Sequence, residues 1–271
     1  MIRTTYINHM GDDLTVVNAA RVSFGKKTTL TYTTEKDDKL IRYLAKHRHM
    51  SPFGHCFASF HIKAPIFVAR QLVKHKFLRW NEISRRYVDT VPDFYEPATY
   101  RRKAEDKKQG SGESMTLSGE TMRSEAKVIL WAKKTYGQMI KEGVCPEQAR
   151  MVLPQSTMTE WYWSGSLDAF ADMCILRLAD DTQEETRQVV LQINNRMKKL
   201  FPVSWLALTG EEEADKRFDE DGENNPPVSS KDIWHGNATI RPMNDEERKR
   251  AMERKELNQA WYDSDGGELF K

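Results

Sequence analysis

HCFASFHIKAPIFVARQLVKHKF, residues 55–77, changes its period halfway along, and that change decides the fold class. In the first half Cys56, Ala58, Phe60 and Ile62 alternate with His55, Phe57, Ser59, His61 and Lys63. Period-two alternation places one set on each face of a strand, the apolar set inward. Pro65 then stands where the first turn of a helix tolerates a missing N–H. IFVARQLVKHKF (66–77) follows with apolar residues at helical spacing, which predicts a helix over the whole segment. On such a helix Gln71, Lys74 and His75 fall at i, i+3 and i+4 and share a face.

Working outward, helical patterning dominates. DLTVVNAARVSF (13–24) is amphipathic. EKDDKLIRYLAKH (35–47) has Leu40, Ile41, Tyr43 and Leu44 at helical spacing and acids in its first turn, where the helix dipole favours them. A long helix is predicted from about 120 to 142, stopped by Gly143, and a short one in PEQARMVLP (146–154). SLDAFADMCILRL (166–178) has Ser166 in an N-cap position. Thr182 and Glu185 have capping-box spacing before a helix carrying Val189, Val190, Ile193, Met197 and Leu200, which Pro202 ends. RRKAEDKKQGSGESMTLSG (101–119) reads as a solvated loop. From about 209 the composition turns charged: EEEADKRFDEDGENNPP (211–227) is linker-like, and NDEERKRAMERKEL (244–257) predicts a short charged helix. The reading is an α+β protein, helix-rich with one early strand region, in which residues 1–208 form the folded unit and 209–271 a charged C-terminal extension.

Composition narrows the function. Lys and Arg number 42 against 40 Asp and Glu, so the net charge of +2 gives no global reason to bind nucleic acid, and any anion site must be local. The three cysteines, Cys56, Cys145 and Cys174, form no CxxC pair, and no secretory pattern opens the chain; this points to a reducing cytoplasm. Each cysteine reads as a small core or semi-buried thiol rather than a nucleophile. No apolar run approaches the roughly 20 residues of a membrane span. His47, His49, His55 and His61 lie close in sequence, but no carboxylate or cysteine completes a metal-ligand spacing. Neither GxGxxG nor GxxxxGK[ST] occurs, so dinucleotide-fold and P-loop readings have no support.

The local charge is in KHKFLRWNEISRRYV (74–88). Cations near a helix C-terminus explain Lys74 and Lys76. They do not explain Asn81, Glu82, Ser84, Arg86 and Tyr87 in immediate succession, and the cluster reads as an anion site. Trp80 and Tyr87 read as core aromatics.

The same stretch resembles the signature of the flavin-dependent thymidylate synthases, which is Arg-His-Arg, seven variable residues and Ser, within a pattern ending Asn-Glu-x-Ser-x-Arg-Tyr. Here Lys74-His75-Lys76 is followed after seven residues by Ser84, with Asn81, Glu82, Arg86 and Tyr87 in place. AARVSF (19–24), HMSPFGH (49–55), IKAPIFVARQ (62–71), ARMVLP (149–154) and Leu176-Arg177, then Gln183 and Glu185, match in family order, so the resemblance covers about residues 12–205.

The resemblance implies a central, mostly antiparallel sheet with long helices, and a homotetramer with active sites shared between subunits. It implies conversion of dUMP to dTMP, with methylenetetrahydrofolate as carbon donor and FAD, reduced by NADPH, as hydride donor. It assigns Ser51, Lys74, His75, Lys76 and Glu82 to FAD, and Gln71, Lys74, Glu82, Ser84, Arg85, Arg86, Arg150 and Arg177 to dUMP. Arg177 takes the place of the arginine that faces the uracil and is the catalytic candidate. Without the resemblance, Arg150 and Arg177 read better as partners of acids on neighbouring helices. The chain departs from the pattern in Lys74 and Lys76 for arginines, in Gly54 for a glutamate, and in Ser166, Asp168, Asp172 and Asp181 at positions that usually include FAD contacts. Two further readings stay open: a dUMP hydroxymethylase on the same scaffold, and a non-catalytic homologue that binds nucleotide or nucleic acid.

Overall fold

The structure, a computed structural model, describes residues 1–26, 30–105 and 110–210. The alternating stretch forms strand β2, Phe57–Pro65, inside a four-stranded antiparallel sheet. Its partners are β1 (Arg3–Met10), β3 (Leu78–Glu82) and β6 (Met158–Ser166), in the order β1-β2-β6-β3. Phe60 pairs with Trp163 and Ile62 with Trp161, so the inward faces of the two central strands coincide. Ala58, Phe60, Ile62, Trp161 and Trp163 are all buried.

Eight helices complete the described residues: α1 (Asp13–Arg21), α2 (Glu35–Lys46), α3 (Ile66–Leu72), α4 (Gly119–Lys141), α5 (Pro146–Ala149), α6 (Leu167–Arg177), α7 (Glu184–Leu200) and α8 (Pro202–Thr209). The core under the sheet combines Phe170 and Met173 of α6, Val189, Val190, Ile193 and Met197 of α7, and Trp205 of α8. Each such side chain, fully buried, is worth about 1.5–3 kcal/mol of transfer free energy.

Several expectations are corrected. The helix after Pro65 ends at Leu72, five residues early. Residues 73–77 turn instead, with Phe77 at φ 65°, and lead into β3. The turn is needed because Leu78 must pair with Gly165 in β6. A Cβ on Gly165 would stand 2.4 Å from Leu78 Cδ2 and 3.1 Å from the Phe77 carbonyl oxygen, so the missing side chain is what admits β3. Lys74 and His75 therefore lie in this turn, beyond the helix that carries Gln71. The loop predicted at 101–119 contains a two-stranded hairpin, β4 (Tyr100–Lys103) with β5 (Ser111–Met115). Its residues are mostly exposed and polar, which hides a strand pattern. Thr182 and Glu185 form no capping box: α7 begins at Glu184 and its N-cap, Gln183, makes no side-chain cap bond. Pro202 ends α7 but also opens α8. The predicted helix at 244–257 and the extension from 211 lie outside the described residues.

Asp13 shows how distant parts are joined. It sits in the first turn of α1, is buried, and accepts hydrogen bonds from the backbone N–H groups of Val203 and Ser204, both at 2.9 Å. It thus caps α8 from 190 residues away. Two bonds to a buried carboxylate, at about 1.5–3 kcal/mol each, make Asp13→Ala a loss of about 3–6 kcal/mol. The check is a urea midpoint that falls with an unchanged slope.

Cys56 and Cys174 are buried. Burial and the nearby Asp12 and Asp13 push the Cys56 thiol up to about 12, which makes it inert at neutral pH. Cys145 is exposed.

Candidate active site

The last residue of α6, Arg177, reaches across to the turn after α3. Its Nε donates to His75 Nε2 at 3.0 Å, and its Nη2 to the Gln71 carbonyl oxygen at 3.4 Å. The Gln71 side chain is fixed from the start of α7: its Nε2 donates to Gln183 Oε1, and its Oε1 accepts from Thr186 Oγ1 at 3.1 Å. Gln71, His75 and Arg177 thus form one hydrogen-bonded cluster. No acid partner of Arg177 appears in it.

His75 is half-buried and meets the Trp163 ring edge-on, centroids 6.5 Å apart. Burial first, and the Arg177 charge second, lower its pKa to about 4. At neutral pH His75 is therefore an uncharged imidazole, not a third cation between two lysines. A guanidinium only donates, so Nε2 must be the acceptor and the ring proton sits on Nδ1. The consequence for stability has a definite sign. The folded-state value lies below the ordinary 6.5, so the unfolded chain takes up the proton first. The contribution of neutral His75 is present above about 6.5 and is lost as pH falls towards about 4. Thermal melts should show the Tm of the parent falling more over that interval than the Tm of His75→Asn.

The second group sits where β3 ends. Glu82 Oε1 accepts from Thr159 Oγ1 at 2.6 Å, and Oε2 from Trp80 Nε1 at 3.2 Å. Trp80 lies flat on Trp161, centroids 4.4 Å apart, and so stands half-buried against the core as expected. Ser84 Oγ receives the backbone N–H and the Nε of Arg86, each at 3.4 Å. Arg86 Nη2 donates to the Tyr87 hydroxyl at 2.9 Å, with the guanidinium 5.0 Å from the Tyr87 ring centre. Tyr87 is 75% exposed, so it is not a core aromatic; it braces Arg86 at the surface. Arg85 donates through Nη1 to the Thr90 carbonyl, and its buried Nε has no partner. The segment thus brings a hydroxyl and two guanidinium groups together within three residues.

Other predicted residues stand apart. Lys74 and Lys76 are exposed, and neither is paired with a carboxylate among the described residues. Ser51 lies in the exposed turn after α2, where its carbonyl accepts from the Gly54 N–H at 3.2 Å. Arg150 is exposed, with Nε on the Glu147 carbonyl at 3.2 Å. No hydrogen bond among the described residues joins Ser51 or Arg150 to the Arg177 cluster. Asp172 and Asp181 are exposed, whereas Asp168 has a buried Oδ1 without a partner. Thr159 and Thr186 carry no signal in the sequence; they are ordinary threonines there, and only the fold brings them onto Glu82 and Gln71. Among the described residues no three His, Cys, Asp or Glu side chains gather to hold a metal ion, and no helix is long and apolar enough to cross a membrane.

The family profile described as "Thymidylate synthase complementing protein" matches residues 5–203, which include every residue of these clusters. The chain belongs to the flavin-dependent thymidylate synthase family. A protein named flavin-dependent thymidylate synthase from Thermus thermophilus is 42% identical over 201 residues, 74% of this chain and 73% of the relative. One of the same name from Kosmotoga olearia is 40% identical, over 73% of this chain and 86% of the relative. Among solved structures, a UMP/dUMP methylase, PolB of Streptomyces cacaoi bound with 5-Br dUMP, superposes with a TM-score of 0.70 at 30% identity, covering 78% of this chain and 95% of that one. The same methylase bound with 5-Br UMP gives 0.68 at 32% identity. The likeness confirms the mixed fold of helices and antiparallel sheet. The family places FAD among the cofactors, and two observations fit that group. Lys74 and Lys76, without a carboxylate partner, suit its pyrophosphate. The orphaned Asp168 oxygen suits a hydroxyl or amine donor of its adenosine end.

Proposed function

We infer that this chain converts dUMP to dTMP, taking the carbon from methylenetetrahydrofolate and using FAD reduced by NADPH. The observation that carries the reading is the Arg177–His75–Gln71 cluster, three residues of separate family motifs held by hydrogen bonds at 3.0–3.4 Å. When bound, reduced FAD supplies the hydride. The chain's own residues do the rest.

Two of the Arg177 nitrogens are committed to His75 and Gln71, which fixes the plane of the guanidinium and leaves its remaining N–H groups to face a base. A cation at the pyrimidine N3 side favours the ionised ring and raises electron density at C5, the carbon that attacks the methylene group. Ser84, Arg85 and Arg86 meet the dUMP phosphate through a hydroxyl, guanidinium groups and backbone N–H. Gln71 and Glu82, each held by two partners, position the nucleotide. Lys74, Lys76 and Ser51 hold FAD, with His75 Nδ1–H as a neutral donor; point charges on lysine replace the forked contacts of arginine.

Arg150 and Ser51 lie outside the cluster and are exposed. That supports a homotetramer in which these residues complete the site of another subunit. The boundary near residue 208 is supported by the family match ending at 203 and by α8 ending at Thr209. Cytoplasmic localisation rests on the cysteine usage.

The experiment is an anaerobic absorption series: purified protein, then FAD, NADPH, dUMP and methylenetetrahydrofolate, with mass analysis of the nucleotide. Flavin bands that bleach with NADPH, followed by dTMP, are expected. 5-Hydroxymethyl-dUMP would replace the reading by a hydroxymethylase, and no flavin at any concentration by a non-catalytic nucleotide binder. Because the similar methylase is named for both UMP and dUMP, UMP belongs in the series as a competitor. Ser84→Ala is expected to raise the KM for dUMP roughly tenfold with little change in kcat, since the lost contact serves binding in ground and transition states alike.

A further inference from the structure

One buried ion pair of the described residues is used by no part of this reaction. Glu185, in the first turn of α7, is 4% exposed and accepts two bonds from Arg101 Nη2, at 3.0 and 2.9 Å. Arg101 belongs to β4, and its Nε also donates to Ser111 Oγ of β5 at 2.8 Å. Tyr95 lies near the same carboxylate; burial and this negative charge push its hydroxyl well above the ordinary tyrosine range, so it stays neutral. The Tyr95 ring packs edge-on against Phe67 of α3, centroids 6.0 Å apart.

Desolvating a carboxylate this far is costly unless its partners are held in place, so the pair fixes geometry more than it stabilises. A two-stranded hairpin is marginal by itself and takes its position from what it touches. β4–β5 makes a second contact on the same region: a Cβ on Gly110, at φ +87°, would stand 3.4 Å from Asp181 Cα. The hairpin therefore touches the segment joining α6 to α7 at Asp181 and the first turn of α7 at Glu185. That segment follows Arg177 and ends at Gln183, which with Thr186 in the first turn of α7 holds Gln71.

We propose that the β4–β5 hairpin is a strap that sets the α6–α7 connection, and that Arg101 and Glu185 are positioning residues for Gln71 and Arg177. The proposal rests on the function inferred above and adds two residues to it. Neither touches the substrate. They act by keeping the first turn of α7 against α3, on which Tyr95 of the loop bearing Ser84 and Arg86 also packs through Phe67. Displacement of a substrate-holding group by about 1 Å costs on the order of 100-fold in rate.

The test compares Arg101→Ala, Arg101→Lys and Gly110→Ala in the full-length chain, with kcat and KM for dUMP measured well below each variant's Tm and dUMP affinity by calorimetry. Arg101→Ala is expected to lower kcat/KM for dUMP about 10- to 100-fold, with kcat itself reduced, and Arg101→Lys to recover part of the loss. Gly110→Ala, which leaves the ion pair intact but strains the backbone at φ +87° beside Asp181, should shift kcat in the same direction. A purely structural role would lower Tm and leave kcat/KM within about twofold of the parent in all three variants, and that result would overturn the proposal. Should Arg101→Ala not fold, the other two variants carry the comparison. A parent chain that neither binds nor converts dUMP overturns the inferred function and this proposal together.

Discussion

Arg177→Ala is expected to reduce kcat on dUMP by roughly 100- to 1000-fold, the usual cost of removing one donor aimed at charge that develops in the transition state. Flavin should remain bound, because the two lysines proposed to hold it, Lys74 and Lys76, make no hydrogen bond to Arg177 among the described residues. The KM for dUMP should move far less than kcat if, as proposed, Ser84, Arg85 and Arg86 hold the phosphate. Arg177→Lys distinguishes charge from geometry. A lysine keeps the cation but has no fork, and cannot meet His75 Nε2 and the Gln71 carbonyl while also facing a base. It should recover only a small part of the loss. An alanine variant turning over within tenfold of the parent would remove Arg177 from the chemistry.

Phe60→Ala is expected to cost about 3–5 kcal/mol, the range for truncating a buried phenylalanine, and so a large share of the roughly 5–15 kcal/mol that holds a typical domain. Phe60 is fully buried in β2, edge-on to Phe170 of α6 at 5.4 Å and to Tyr6 of β1 at 6.3 Å. No single neighbour can move to fill the space between two strands and a helix. The control is Phe57→Ala on the same strand. Phe57 points to the opposite face and is 42% exposed, so its loss should stay within about 1 kcal/mol. Denaturant midpoints at constant slope decide it. Equal losses at the two positions would mean that the strand register differs by one residue, which would exchange the faces.

The same contrast of faces governs which strands are legible in the sequence. β2 is legible because Cys56, Ala58, Phe60 and Ile62 are apolar in strict alternation. β6 has the same inward set, Trp161, Trp163 and Gly165, but Tyr162 on its outer face blurs the alternation. β3, LRWNE, carries two charged residues in five; it is a strand because Gly165 lets Leu78 approach, a fact about the partner strand. The early end of α3 has the same origin, since local spacing favours helix through Phe77 and only the pairing with β6 bends it.

At the site, the residues of 71–86 are legible because they are neighbours in the chain. The hydrogen bond from Arg177 to His75 joins positions 102 apart, and the motif resemblance anticipates the residues but not the bond. The charge of His75 is hidden for a related reason: flanking lysines suggest a cationic triad, whereas burial beside Arg177 makes the imidazole neutral. Thr182 and Glu185 have the right spacing for a capping box, yet Glu185 turns inward to an arginine 84 residues away. Tyr87 is apolar enough for the core by type, but its hydroxyl and ring both serve Arg86 at the surface.

The bond from Asp13 to the start of α8 bears on how the chain is made. A ribosome delivers the N-terminal part first, at about 5–20 residues per second. Asp13 emerges early, and the N–H groups that satisfy it belong to Val203 and Ser204. Thr4 waits as well, for the Gln192 side-chain oxygen that accepts its N–H at 2.8 Å. For roughly ten seconds or more of synthesis the first strand and first helix can form local structure but cannot close. During that time β1, β2 and the apolar side of α1 are open to chaperones. A transcript cut short before codon 203 would yield a polypeptide with a carboxylate destined for the interior and nothing to receive it, a substrate for quality-control proteases rather than a smaller working enzyme.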